Sequence, residues 1–270
     1  VTGAGSGIGR ALAIELNRLG CDLWLIDIDD ASLKETSKFL TKQTANYETR
    51  LVDTSCRTSI EKLAVEIEHH KGCLDILINN AGVGLGATFE EMKLEDFKWL
   101  MNINFWGVVY GCKIFLPLVR RAEHGHIINI SSVFGMISLP TVSAYNASKF
   151  AVRGFTESLR QELEDSSVHV CCVHPGGIDT NIAVNSRGTA HGLSKEERAE
   201  EFKKVAKTSA ESAATQILRA IEKKKKRLLI GKDAYFISIL SRLFPVIYPR
   251  ILGRLMPQIQ EVKKSLRSRN

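Results

Sequence analysis

An α/β fold with a doubly wound parallel sheet is predicted by two observations. Short, almost wholly apolar runs alternate along the chain with longer amphipathic stretches, and a glycine-rich turn precedes the first of those stretches. Apolar runs of this kind suit strands covered on both faces, and strand–helix alternation sets neighbouring strands parallel. Strands are expected at "CDLWLID" (21–27), "LDILINN" (74–80), "HIINISS" (126–132) and "VHVCCVHP" (168–175), with weaker ones at "YETRLVD" (47–53) and "RLLIG" (227–231). Helical periodicity predicts helices over 8–19, 30–42, 58–71, 94–121, 146–164 and 210–224. No internal repeat or low-complexity linker intervenes. One domain is expected over 1–231, followed by a basic, apolar C-terminal extension over 232–270.

The 270 residues, 44% apolar and 25% charged, suffice for one large domain with a sizeable core and argue against wholesale disorder. The net charge of +7 is concentrated: residues 232–270 hold eight Lys or Arg and two Asp or Glu, leaving the rest near neutral. A nucleic-acid role is therefore disfavoured. Cysteines 21, 56, 73, 112, 171 and 172 form no CxxC or Cys/His cluster and suit reduced core residues of an intracellular protein. The seven histidines show no metal-ligand spacing, and no metal is expected. A cytoplasmic location is expected, since "VTGAGSGIGR" carries neither signal peptide nor transit sequence. Only Val1 stands where the first strand should be, so native residues are expected before it, and a signal there would be out of view.

The turn "TGAGSGIG" places glycines at 3, 5, 7 and 9 ahead of an apolar helix. Such a backbone can approach a pyrophosphate and offer it the free N–H groups of a helix N-terminus, although a glycine-rich turn alone is also compatible with a simple loop. Its context favours the first reading. Eighteen residues after Gly9 the next strand ends at Asp27, whose carboxylate can accept from ribose hydroxyls and would repel a 2′-phosphate. With Ser6 and Ile28 where a basic residue could stand, NAD is preferred over NADP; Arg10 is the residue that could reverse this preference.

"SAYNASKFAV" sets Tyr145 and Lys149 four apart, on one face of a helix. Alone, the pair fits an ordinary half-exposed helix surface as well as an acid–base group. Taken with "TGAGSGIG" at 2–9, "NNAG" at 79–82, Asn104 in "NINFWG", "SS" at 131–132 and "PGGIDT" at 175–180, it makes the chain resemble the short-chain dehydrogenase/reductase family over residues 1–231, with a Rossmann-like fold. The resemblance implies Tyr145 as general acid/base and Lys149 as the residue that holds the cofactor ribose and lowers the phenol's pKa. A tyrosine titrates near ~10 unperturbed, and nearby cations favour the phenolate. The resemblance also implies Ser132 as the substrate-orienting hydroxyl, with Ser131 a strand-end neighbour, and Asn104 as the residue placing a relay water behind Lys149. The cofactor is expected to meet Gly3, Ser6, Gly7, Ile8, Gly9 and Asp27, then Asp53, Asn80, Ala81 and Gly82, and finally Pro175, Gly176, Ile178 and Thr180. Asn80 is read as partly structural, and His174 as a minor candidate beside the Pro-Gly turn.

The implied reaction is hydride transfer between NAD and an alcohol or carbonyl. Phe134, Met136, Ile137, Leu139 and Val142 would make the substrate apolar if they line the pocket; packing beneath a lid over 181–208 is the equal alternative. The tail mixes Phe, Ile, Leu, Tyr and Met with Arg242, Arg250 and Arg254, and Pro245, Pro249 and Pro257 divide it. It suits either peripheral contact with an anionic membrane or packing over the lid or another subunit. Family dimers and tetramers imply a homodimer or homotetramer through 94–121 and 146–164. An NADP-dependent carbonyl reductase is the runner-up, with Asp27 the obstacle. A non-catalytic dinucleotide sensor, or a peripheral membrane protein whose tail is the working part, are the readings from other classes.

Overall fold

The computed structural model describes residues 1–42, 45–188 and 195–255. Residues 189–194 of the expected lid and 256–270 of the tail, Pro257 included, lie outside the described residues. In chain order the elements are α1 (Gly7–Arg18), β1 (Leu23–Asp27), α2 (Asp30–Ser37), β2 (Tyr47–Leu51), α3 (Arg57–Lys71), β3 (Ile76–Asn79), α4 (Leu94–Met101), α5 (Gly107–Arg120), β4 (Gly125–Ile130) and α6 (Ser143–Glu162). They continue with β5 (Val168–Pro175), β6 (Ile178–Asp179), α7 (Lys195–Val205), β7 (Thr208–Ser209), α8 (Ala210–Glu222), β8 (Arg227–Ile230), α9 (Lys232–Leu243) and α10 (Tyr248–Leu255).

All strand pairs are parallel: β1 with β2, β6 with β7, and the run β3-β4-β5-β8. The β1-β2 pair and the four-strand run are joined by residues 1–4, which take the place of the expected first strand. Thr2 N donates to Ile78 O at 3.0 Å, while Ile26 N donates to Val1 O and Ala4 N to Ile26 O, also at 3.0 Å. Successive strand residues serve opposite faces, as a period of two requires. Leu23, Leu25, Ile128, Val173 and Ile230 pack with α1 and α8. Trp24, Ile26, Leu77, Ile127 and Val170 pack with α3, α5 and α6. A buried polar chain fixes β3, β4 and α6 in register: Asn79 Nδ2 donates to Asn129 Oδ1 at 2.8 Å, and Asn129 Nδ2 to Thr156 Oγ1 at 3.0 Å.

Three expected elements differ. The helix over 94–121 is two helices joined by a π-helical turn at Asn102–Trp106. That wider turn turns Asn104 fully inward. The helix expected over 30–42 stops at Ser37, where Ser37 Oγ donates back to Leu33 O at 3.0 Å. The strand expected over 47–53 ends at Leu51, and Asp53 forms a turn instead, accepting from Ser55 N at 2.8 Å and Ser55 Oγ at 2.7 Å. Leu94–Arg120 is long and apolar enough to cross a membrane by composition. Its face made of Val108, Cys112, Phe115 and Val119 is buried against the sheet.

Candidate active site

The carboxyl ends of the strands open onto a cavity of about 590 Å³. At one end lies the glycine turn. Gly7 has φ +52°, a backbone that disfavours any side chain. Gly9 approaches Gly3 so closely that an added Cβ would lie 2.0 Å from the Gly3 carbonyl oxygen. The turn leaves Gly3, Ser6, Gly7 and Ile8 on the cavity wall, with the first turn of α1 behind them. Gly9 is not on that wall; its part is to let the turn close. Asn80 fastens the turn from the other side, its Nδ2 donating to Thr2 O at 2.9 Å and Gly3 O at 3.2 Å.

Asp27 lines the same end, its carboxylate fixed by backbone N–H groups: Gly5 N on Oδ2, Ile28 N and Asp29 N on Oδ1, at 2.8, 2.8 and 3.1 Å. Asp53 and Ala81 line it too, while Gly82 lines the cavity next to Lys149. Asp29 was missed in the sequence although it caps α2, accepting from Ala31 N at 3.0 Å and Ser32 Oγ at 2.8 Å; a "DD" pair ahead of a helix was the available signal. Arg10 lies off the wall. Its guanidinium is turned back into the loop, Nε donating to Gly5 O and Thr36 Oγ1 at 3.0 Å.

At the opposite end Ser132, Tyr145 and Lys149 converge on the wall; Pro175, Gly176, Ile178 and Thr180 line the cavity as well, Thr180 lying beside Gly7 of the glycine turn. Ser132 leaves β4 and accepts from Phe134 N at 3.1 Å, which starts the short 3₁₀ turn Val133–Gly135. Ser131, its neighbour, donates to Lys149 O at 2.8 Å and so anchors α6. Lys149 Nζ donates to Ile130 O at 3.0 Å and lies 5.7 Å from the Tyr145 ring centroid. Tyr145 is half-buried and lines the cavity: burial pushes its phenol up to about 12, opposed by a hydrogen bond with Ser132. Burial brings the Lys149 ammonium down to about 8. Within the chain, desolvation therefore raises the phenol, whereas the family resemblance implies one lowered by Lys149.

Asn104 also lies behind the wall. Its Oδ1 accepts from Val83 N at 2.8 Å and its Nδ2 donates to Val83 O at 3.0 Å, so it holds the loop after β3. A Cβ on Gly82 would meet Asn104 Oδ1 at 3.3 Å and Lys149 Nζ at 3.5 Å, which places both side chains around one bare glycine. Of the five apolar residues considered for the pocket, Phe134 and Val142 line it, whereas Met136, Ile137 and Leu139 pack against α9 and α10. Val83, Leu85, Ile182 and Phe202 add to the apolar wall. Asn181, Ala183, Asn185 and Ser186 line the cavity as well. Arg187 N donates to Gly84 O at 3.1 Å, and its guanidinium stacks on Trp99 at 3.7 Å and pairs with Asp96 at 3.1 Å.

His174 does not reach the cavity. It is fully buried, with Nδ1 3.1 Å from Ser132 O, and burial holds its imidazolium down to about 4. An unfolded histidine titrates near ~6.5. The folded value is the lower one, so this stability is present above pH ~6.5 and is lost as pH falls towards 4. Thermal unfolding is expected to show a loss of roughly 1–3 kcal/mol across that window. The loss should shrink in His174→Asn; an unchanged pH dependence in that variant would exclude His174 as its source.

A bare glycine turn at a helix N-terminus, a carboxylate at the next strand end and a Ser–Tyr–Lys cluster across one cavity together fit a dinucleotide and a reacting centre. The profile described as short chain dehydrogenase matches residues 1–191. The chain belongs to the short chain dehydrogenase family. It is 40% identical over 256 residues to the Mycobacterium tuberculosis protein named "Putative oxidoreductase SadH", covering 94% of this chain and 92% of that one. It is 36% identical over 185 residues to a 3-ketodihydrosphingosine reductase of Bacteroides thetaiotaomicron, covering 68% of this chain and 65% of that one. The crystal structure of a short chain dehydrogenase/reductase from Burkholderia phymatum in complex with NAD matches with a TM-score of 0.81 at 31% identity, covering 90% of this chain and 92% of that one. This short chain dehydrogenase is thus an oxidoreductase of a family that uses nicotinamide cofactors and acts on CH–OH groups.

Proposed function

We propose that the protein is an NAD-dependent oxidoreductase that interconverts an apolar alcohol and its carbonyl compound, with Tyr145 as general acid/base. The observation that carries this reading is the convergence of Ser132, Tyr145 and Lys149 on one wall of a cavity that ends at Asp27. A bound nicotinamide supplies the hydride acceptor or donor. The chain supplies position and the proton. Ser132 presents its hydroxyl where the substrate oxygen would lie, able to steady charge developing there. Tyr145 holds a proton at neutral pH and can give it to a carbonyl oxygen; in the reverse direction it must first lose that proton. Lys149, fixed on Ile130 O, presents a cation near the phenol. Oxidation is therefore expected to speed up as pH rises through the alkaline range, and reduction to hold near neutrality and decline at high pH. Initial rates measured in both directions against pH test this; opposite slopes would remove Tyr145 from the role.

NAD is favoured over NADP by charge. Asp27, Asp29 and Asp53 line the adenosine end, and among the described residues Lys149 is the one basic side chain lining the cavity. Arg10, which could have met a 2′-phosphate, spends donors on its own loop. An apolar substrate is favoured by Val83, Leu85, Phe134, Val142, Ile182 and Phe202, and by the keto-sphingoid substrate that the name of the Bacteroides relative specifies. A carboxylate placed there would lose its hydration without a dedicated partner. A medium-chain ketone is expected to exceed the 2-oxo acid of equal length by about 100-fold or more in kcat/KM. Equal values would refute the apolar assignment while leaving the cofactor assignment standing.

A further inference from the structure

The C-terminal helices carry a second surface that the cavity does not explain. α9 is apolar on two sides. Ala234, Ile237 and Leu240 are buried against Val133, Met136 and Ile137. The other side presents Phe236, Ile239 and Leu243, 49%, 59% and 66% exposed, and the patch continues through Phe244, Val246 and Ile247, with Val246 84% exposed. A helix apolar all round is normally enclosed, and a contiguous exposed apolar patch marks an interaction surface. In the same segment Lys232, Arg242, Arg250 and Arg254 are all exposed. The one acidic residue in 232–255, Asp233, is engaged at its carboxylate, accepting from Gly177 N at 2.7 Å.

We infer that this face docks onto an anionic lipid surface. Exposed apolar side chains in a segment rich in arginine and lysine suit the boundary between acyl chains and negatively charged headgroups, the cations snorkelling outward. A second copy of the chain would bring the segment's like charges together, and a nucleic acid would leave the apolar patch uncovered. At twelve and eight residues, α9 and α10 are too short to span a bilayer, so the contact is peripheral. The face is also joined to the site. Asp233 fastens α9 to the turn after Pro175, and Tyr248 Oη accepts from Ser138 N at 2.9 Å, in the loop that leads from Ser132. This inference rests on the surface alone and holds whatever the substrate proves to be.

The test is flotation of the purified protein with phosphatidylcholine vesicles, with and without phosphatidylserine, at low and raised salt. The comparison variants are Ile239→Glu combined with Leu243→Glu, and Arg242→Glu combined with Arg250→Glu. All four side chains point away from the core, and unchanged NADH binding checks that each variant folds. The expected result is at least about tenfold greater recovery with phosphatidylserine, weakened by salt and lost in both variants. Absence of vesicle binding overturns the inference. So does binding that ignores phosphatidylserine or survives both variants. A dimer that falls to monomer on Ile239→Glu/Leu243→Glu would assign the patch to a second copy instead.

Discussion

Tyr145→Phe is expected to fold, to bind NADH with unchanged affinity, and to lose about 10²–10⁴-fold in kcat. The ring is held by packing: it meets Phe134 edge-on at 6.0 Å between centroids, and a phenylalanine preserves that contact. Only the hydroxyl goes, together with its hydrogen bond to Ser132 and the proton it carries. The phenol, pushed up to about 12 by burial, bears its proton at neutral pH, as the proposed acid role requires. Lys149 faces the ring from 5.7 Å but is tied to Ile130 O. Steady-state turnover with nicotinamide fluorescence as the binding control decides the matter. Retention of more than a tenth of the activity would move the acid/base role elsewhere.

Gly9→Ala is expected to weaken NADH binding by at least about 100-fold and to lower the melting temperature by several degrees. The new Cβ would fall 2.0 Å from the Gly3 carbonyl oxygen and 2.7 Å from Asn80 Nδ2. The first neighbour is backbone and cannot rotate aside, so the turn must open or α1 must shift. Overpacking of this kind costs about 1–3 kcal/mol in stability. The larger effect falls on binding, because Gly3, Ser6 and Gly7 form the wall against which a pyrophosphate would sit. Calorimetry and cofactor titration report the two effects separately. A variant that melts and binds as the parent does would show that the turn is not held by this contact.

Much of the fold is legible in the sequence because both faces of the sheet are buried. Continuous apolar runs such as "HIINI" and "VHVCCV" then announce their strands, and the intervening periodicity announces the helices. Boundaries are less legible. Nothing in "MNINFWG" signals a π turn, since no proline or glycine interrupts Asn102–Trp106 and its residues are as apolar as the helices around it. The cavity wall follows the glycine, "NNAG", "YNASK" and "PGGIDT" segments closely. Two of the expected site residues, Gly9 and Asn104, lie behind it, because a motif fixes which residues are near a site and not which atoms face it. The raised phenol is illegible in the sequence for a physical reason: spacing places Lys149 beside Tyr145, but burial depends on Phe134 and the strands beneath. The tail is half legible. Its apolar and basic content is plain, yet which side of α9 meets Val133 and Met136 emerges only from the packing.

The central claim, that this cavity receives NAD with its ribose on Asp27, is tested most directly by titrating NADH and NADPH side by side and following nicotinamide fluorescence. Preference for NADH of at least about tenfold is expected, and Asp27→Ala should shrink it towards parity. Tighter binding of NADPH would contradict the account and place Arg10, freed from Gly5 and Thr36, at the phosphate.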